Sequence, residues 1–393
     1  MKTARVGISL HSARQVAAIT FALMLQGCGL WHGAFAPLDP ASATANCRPV
    51  PGFPEDMGAE DLAPDQKSGG VYVSAADWAG LALYENGQRR LPRAGAIYFV
   101  EASPDGRLTA RDRTPVGDRV LFPHGMDVWR PSEEGATGRL FVVNHLRGAG
   151  PSRIEILNIE SNGDLRWPHE PSRPLLALNR PNDVTGVSPG AFYSSNDHKS
   201  PRRSWFGIDL LALSEDLIAA RTAAIVYVGG PNVVAKTMPA AFPNGVEASS
   251  DGRRLFVSES TRGIVREFTI GPGGDLAEIR TIKVPRLADN LYLQNDRYLW
   301  AVAHRNNLDF ALHARGWRNL EGSSKPSRSR IFRIDLADRD LGATPIYETS
   351  KSGIDSQQEM SAISSAVPIA DGFLVASIFE GLQFCKLSTR RSP

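Results

Sequence analysis

Cysteine is scarce in this chain: three among 393 residues, Cys28, Cys47 and Cys385. Histidine is scarce too, with eight. Structural zinc, which wants Cys and His ligands, is poorly served by such a stock. An excess of charge of one sign is also missing. The 44 Lys and Arg face 42 Asp and Glu, a formal net charge of +2, which gives no reason to expect nucleic acid as a partner. Basic pairs such as Arg202-Arg203 and Arg253-Arg254 are scattered, as solvated turns are. Helical periodicity is rare: the best stretch runs from Ser204 to Arg221, with Leu210, Leu211, Leu213, Leu217 and Ile218 spaced for about four turns.

The apolar run from Val16 to Leu25 is too short to span a membrane comfortably, and Lys2, Arg5 and Arg14 precede it. This is the shape of an export signal. It ends in Leu25-Gln26-Gly27-Cys28, which resembles a bacterial lipobox and would make Cys28 a lipidated first residue after removal of residues 1–27. The competing reading is cleavage after Ala34-Phe35-Ala36. Either way export is expected, to the periplasm or outer membrane with a lipid anchor, or by plain secretion. Residues 28–46 read as a flexible tether. Lipidating Cys28 leaves Cys47 and Cys385 as an even pair near the two ends of the globular region, and export permits a disulfide between them. Two unrelated buried thiols are the alternative.

What the chain does hold is a repeat. Six short polar stretches recur: Glu60-Asp61, His124-Gly125, Asn182-Asp183, Asn244-Gly245, Asp289-Asn290 and Met360-Ser361. From Asp61 the steps to His124, Asn182, Asn244, Asn290 and Ser361 are 63, 58, 62, 46 and 71 residues. Each stretch is followed by an apolar, strand-like run, such as Leu140 to Val143, Leu255 to Val257 or Leu299 to Val302. Between the strands stand the turn signals Asp105-Gly106, Asn162-Gly163, Asp251-Gly252, Gly273-Gly274 and Asp371-Gly372. Six degenerate units of short strands predict an all-β, six-bladed propeller with four-stranded blades, with one or two short helices over one face. No internal linker interrupts residues 47–388, which are expected to form a single domain; residues 305–330, polar and Arg/Ser-rich, read as an insertion. A β-sandwich or a two-domain β protein is the alternative.

In a propeller, polar loops leading into the innermost strands put their side chains at one mouth of the central channel. Glu60, Asn182, Asn244, Asp289 and Asn290 would then face one another as two carboxylates and three amides, a hard all-oxygen set suited to calcium. Each Asn alone is weak, since Asn before Gly is commonly a turn residue; the equivalent placement of several such loops carries the reading. His124 in one loop, and His145, His198 and His304 just after apolar strands, occupy privileged places. A lone His at a strand end is more often structural, but a pair beside a polarised carbonyl can act as general base and orienter.

These motifs resemble the paraoxonase/arylesterase family of calcium-dependent lactonases. The matching strings are Phe122-Pro123-His124-Gly125-Met126, Val142-Val143-Asn144-His145, Asn182-Asp183-Val184, Phe192 to His198, Pro243-Asn244-Gly245 and Ala288-Asp289-Asn290, with Glu60-Asp61 and the Cys47/Cys385 pair. They run in order over residues 45–388; together they are specific, and none is so alone. The resemblance implies a six-bladed propeller with two calcium ions. A catalytic ion would be held by Glu60, Asn182, Asn244, Asp289 and Asn290. A structural one would be held by Asp61, Asp183 and the Met126 carbonyl. His124 and His145 match the family's histidine dyad, and Asp197, His198 and His304 its further site residues. The implied substrates are small lactones and aryl esters. A related propeller hydrolase with another substrate, or a binding propeller that keeps calcium for stability alone, are the alternatives. The lipobox and the 305–330 insertion depart from the family pattern.

Overall fold

Four of the turn signals read from the sequence fall between paired strands, and the fifth, Asp371-Gly372, runs into the start of one. Gly106, Gly163, Gly252, Gly273 and Gly274 adopt positive φ, the left-handed backbone that tight turns ask of glycine. A computed structural model describes residues 45–78, 80–81, 93–103, 105–133, 136–146, 151–168, 177–200, 210–230, 235–304, 328–349 and 360–387. The proposed signal (1–27), Cys28 and its tether up to residue 44, and nearly all of the 305–330 insertion lie outside them.

Strand β1 (Ala45–Pro49) comes first and is claimed by the last blade. Blade one is β2 (Gly58–Asp65), β3 (Gly70–Ala76), β4 (Ala96–Ala102) and β5 (Leu108–Asp112). Blade two is β6 (Pro123–Trp129), β7 (Gly138–Asn144), β8 (Arg153–Ile159) and β9 (Leu165–Arg166). Blade three is β10 (Pro181–Gly186), β11 (Phe192–Asn196), β12 (Ala223–Val228) and β13 (Lys236–Ala240). Blade four is β14 (Pro243–Ala248), β15 (Arg254–Glu259), β16 (Ile264–Ile270) and β17 (Leu276–Lys283). Blade five is β18 (Ala288–Gln294), β19 (Tyr298–His304), β20 (Ser329–Asp335) and β21 (Ala343–Glu348). Blade six is β22 (Ile363–Ile369), β23 (Gly372–Ser377) and β24 (Gly381–Leu387), with β1 as its outer strand. All pairings are antiparallel, as in an up-and-down meander.

Each gap between neighbouring blades is filled by its own apolar cluster. Phe141 and Val143 of blade two meet Phe192 and Val226 of blade three; Phe256 and Val265 of blade four meet Leu299 and Ile334 of blade five. Leu374 and Phe384 of blade six meet Val73 and Val100 of blade one, so the ring closes. Because both faces of a blade are covered, the second strands read as continuous apolar runs rather than alternating ones. Closure is also covalent: Cys47 and Cys385 stand opposite each other on β1 and β24 and form a disulfide between residues 338 apart in sequence. In the loop-closure model a link of that span stabilises by on the order of 5–6 kcal/mol.

Helix is sparse. Within the expected Ser204–Arg221 stretch the described helix, α1, covers Leu210–Ile218; residues 201–209 lie outside the described set. Among the described residues no helix is long and apolar enough to cross a membrane.

Candidate metal centre

The polar pairs do not lead into the innermost strands, as expected, but lie on them. Register shifts fall between Ala59 and Leu62, Pro123 and Met126, Pro181 and Val184, Pro243 and Val246, and Ala288 and Leu291. Each shift is a one-residue β-bulge, and each spans one polar pair. The apolar runs that follow are the second strands. A bulge re-aims side chains and leaves backbone groups outside the ladder, which is how five strands point donors at one axis. Blade six shows why its member was misplaced. Its bulge lies between Ile363 and Ser365, so the equivalent residue is Ser364. Met360-Ser361 precedes the strand, and Ser361 is tied to Glu380 by its N–H and hydroxyl.

Two pairs end in glycine for want of room. A Cβ on Gly125 would fall 2.3 Å from Asp183 Oδ1, and one on Gly245 would fall 2.6 Å from the Asp289 carbonyl oxygen. The neighbouring bulges press on these backbones.

Of the five expected ligands, Glu60 and Asn290 are in direct contact. Asn290 Nδ2 donates to Glu60 Oε1 at 3.0 Å and to the Glu60 carbonyl at 3.3 Å, across 230 residues of sequence. That bond fixes the amide orientation and turns Asn290 Oδ1 away from Glu60. His124 Nδ1 lies 3.5 Å from Glu60 Oε2 and 2.8 Å from the Asn182 carbonyl. Four buried oxygens in this group, Glu60 Oε2, Asn182 Oδ1, Asn244 Oδ1 and Asn290 Oδ1, have no hydrogen-bond partner. Buried acceptors are nearly always paired, and an unsatisfied one costs about 1–3 kcal/mol. Four from four different blades at one channel mouth make a donor set for a hard cation. Burial, with the charges of Asp61 and Asp289, holds the Glu60 carboxyl well above the usual carboxylate range. No three His, Cys, Asp or Glu among the described residues cluster as a metal site; this group has two carboxylates, and its other oxygens are amides.

A second layer lies deeper. Asp61, Asp183 and Met126 line one cavity of about 190 Å³ with Asp127 and Glu247. Asp61 accepts the N–H of Leu62 at 2.8 Å and of Met126 at 2.7 Å. Asp183 accepts the N–H of Val184 and of Val246, both at 2.7 Å. Met126 thus meets Asp61 through its N–H. Burial pushes Asp61 up to about 7; burial and the Asp61 charge push Asp183 up as well. Arg130 also reaches this cavity, but it is committed to Asp65 by two bonds of 2.9 and 2.6 Å.

The histidines divide. His124 stacks edge-on against His145 with ring centroids 4.9 Å apart, and edge-on against Trp78 at 5.2 Å. The Asn182 carbonyl can only accept, so in the neutral ring His124 carries its proton on Nδ1 and Nε2 is the basic nitrogen. His145 Nδ1 meets Ser152 Oγ at 2.8 Å. His304 belongs to the donor ring, with Nε2 3.1 Å from Asp289 Oδ2. The bonds of His198 run instead to Asp197 and to Asp216 of α1, both 3.0 Å away, and its ring lies 4.8 Å from that of Phe242. Arg180 Nε approaches Asp197 at 2.9 Å. Sequence reasoning missed Asp216, which only the path of α1 brings to His198, and a set of serines behind the donors.

Burial opposes a charge on His198, but the hydrogen bonds and charges of Asp197 and Asp216 outweigh it and push the imidazole up to about 9. Burial raises Asp216 as well, which offsets part of the gain. A base raised above its unfolded value of about 6.5 stabilises fully below that pH, and the contribution is lost as pH rises through about 9. Unfolding stability should therefore fall by about 1–3 kcal/mol between pH 6.5 and 9.5. Urea melts across this window should show the step in the wild type and not in His198→Asn; a flat wild-type profile would contradict it.

Gly186-Val187-Ser188-Pro189-Gly190 spells a nucleophile-elbow string, but it forms the turn between β10 and β11, at the end of the blade away from the donors. Ser188 Oγ accepts the Ala191 N–H at 3.1 Å. A strand-to-helix elbow needs a different setting.

Six blades around a channel with oxygen donors at one mouth define a β-propeller with a candidate cation centre. The chain belongs to the arylesterase family, whose sequence model matches residues 95–386, and is a propeller hydrolase. It is 24% identical over 358 residues to serum paraoxonase/arylesterase 2 of Gallus gallus, covering 89% of this chain and 91% of that one. It is 24% identical over 349 residues to the Rattus norvegicus protein of the same name, covering 87% and 89%. Among solved structures, a luciferin-regenerating enzyme superposes with a TM-score of 0.47 at 12% identity, over 88% of this chain and 95% of that chain; so weak a likeness carries no argument.

Proposed function

We propose that the protein is a calcium-dependent hydrolase of lactones and aryl esters, with one catalytic and one structural ion. The observation that carries this is the set of four unpartnered buried oxygens on Glu60, Asn182, Asn244 and Asn290. With Asp289 these residues would hold the catalytic ion, and Asp61, Asp183 and the Met126 carbonyl the structural one. Calcium held there would supply a fixed positive charge toward an ester carbonyl, favouring the addition of water. The chain's own residues do the rest. His124, with its proton held on Nδ1 by the Asn182 carbonyl, offers Nε2 as the base toward water. His145 and Trp78 fix the ring by edge-on contact. His304 orients the Asp289 carboxylate. The disulfide supports export to an oxidising compartment, and lipidation at Cys28 remains part of this proposal.

Purified protein with calcium should hydrolyse phenyl acetate and a panel of five- and six-membered lactones. Turnover of none of them would sink the proposal, and turnover of lactones alone would restrict it to them.

A further inference from the structure

Behind the donor ring stands a second ring of side chains, contributed in each case by the preceding blade. The backbone carbonyl of Glu60 in blade one accepts Ser364 Oγ of blade six at 2.5 Å. That of Asn244 in blade four accepts Ser195 Oγ of blade three at 2.5 Å. That of Asp289 in blade five accepts Ser258 Oγ of blade four at 3.0 Å. In blade three the Asn182 carbonyl takes His124 Nδ1 of blade two instead. Four of the five proposed ligands are thus clamped at their own carbonyl by the blade before them.

The need for a clamp follows from the bulge. The extra residue turns its carbonyl out of the ladder, toward the preceding blade and away from water, where it must be paired. Ser195 and Ser258 stand opposite the bulges of their own blades, between Asn196 and Ser194 and between Glu259 and Val257. Ser195 Oγ also accepts the Asp183 N–H at 3.0 Å, so one hydroxyl serves two adjacent bulges. All three serines are buried. A held peptide plane sets the Cα–Cβ direction, and so the aim of the oxygen at its end.

We infer that Ser195, Ser258 and Ser364 are positioning residues for the cation centre: each hydroxyl fixes the backbone of a ligand in the next blade. This rests on the calcium reading above. Partners behind metal ligands of this kind are worth about 10–100-fold in metal affinity.

The test is calcium titration by calorimetry on the chelator-stripped full chain, with melting curves in parallel. Ser195→Ala, Ser258→Ala and Ser364→Ala should each weaken Kd by about 10–100-fold, with kcat restored toward wild type once calcium saturates. Ser377→Ala is the control. Its hydroxyl is equally buried and donates at 2.6 Å to the carbonyl of Ser361, which is no ligand, so Kd should not move even if melting does. Should an alanine variant not fold, the near-isosteric Ser→Cys, a weaker donor, should give the same direction of shift. Wild-type Kd in the three variants, or an equal loss in Ser377→Ala, overturns the inference and leaves the calcium reading standing. A wild type that takes up no calcium overturns both.

Discussion

Stripping calcium from the purified protein is expected to abolish hydrolysis and to lower the melting temperature by about 5–15 °C. The activity loss follows from the chemistry, because Glu60, Asp289 and the amide oxygens at this mouth are acceptors, and the ion would supply the positive charge that polarises the carbonyl. The stability loss follows from mass action. A ligand bound only by the native state stabilises it by about 2.7 kcal/mol at a hundredfold excess over Kd and by about 4.1 kcal/mol at a thousandfold excess. Behind that figure lies the state of the apo channel, with four buried oxygens lacking partners and Asp61, Asp183 and Glu247 pushed toward protonation by burial. Differential scanning calorimetry with chelator, with calcium restored and with magnesium substituted reads the effect. Magnesium should restore less, since it demands near-octahedral geometry and parts with water reluctantly. Hydrolysis that survives exhaustive chelation would refute the mechanism.

The ring was legible because second strands buried on both faces write themselves as apolar runs, such as Leu140 to Val143 and Leu299 to Val302. Glycine turns such as Asn162-Gly163 then divide them. The donors were legible because Glu, Asp and Asn recur at one place per unit. What was not legible is register. A one-residue bulge leaves no spelling of its own: Glu60-Asp61 reads equally well as a loop ahead of a strand or as a bulge within it. For the same reason Met360-Ser361 passed for the sixth member, when Ser364 holds that place. Ser195 and Ser258 hid in plain strands, where a serine is unremarked until its neighbour's carbonyl is seen. Asp216 lies 18 residues after its partner His198, on a helix whose docking no local pattern records. The left-handed residues Phe242, Leu287 and Ala362, two places before Asn244, Asp289 and Ser364, mark the same entry to three inner strands. Their side chains share no chemistry that could have announced it.

Asn244→Ala should reverse the sign of its own effect on stability when calcium is present. With calcium, the variant lacks one of five oxygens, binds the ion more weakly and melts lower than wild type; kcat/KM should fall about 100-fold or more, as when a fixed stabilising group is lost from the transition state. Without calcium the comparison changes. Asn244 Oδ1 has no partner to lose, and the backbone carbonyl of residue 244 keeps its bond from Ser195. Deleting an unsatisfied buried acceptor removes a cost of about 1–3 kcal/mol, set against the small packing loss of a short polar side chain. The chelated variant should therefore be as stable as chelated wild type, or more so. Sites built for function carry local strain that the rest of the fold tolerates, and this crossing is how such a site shows itself. Melting curves of both proteins, with and without calcium, form a four-way cycle. A variant equally destabilised in both conditions would mean that Asn244 is a structural turn residue. A wild-type rate would mean that its oxygen plays no part in the centre.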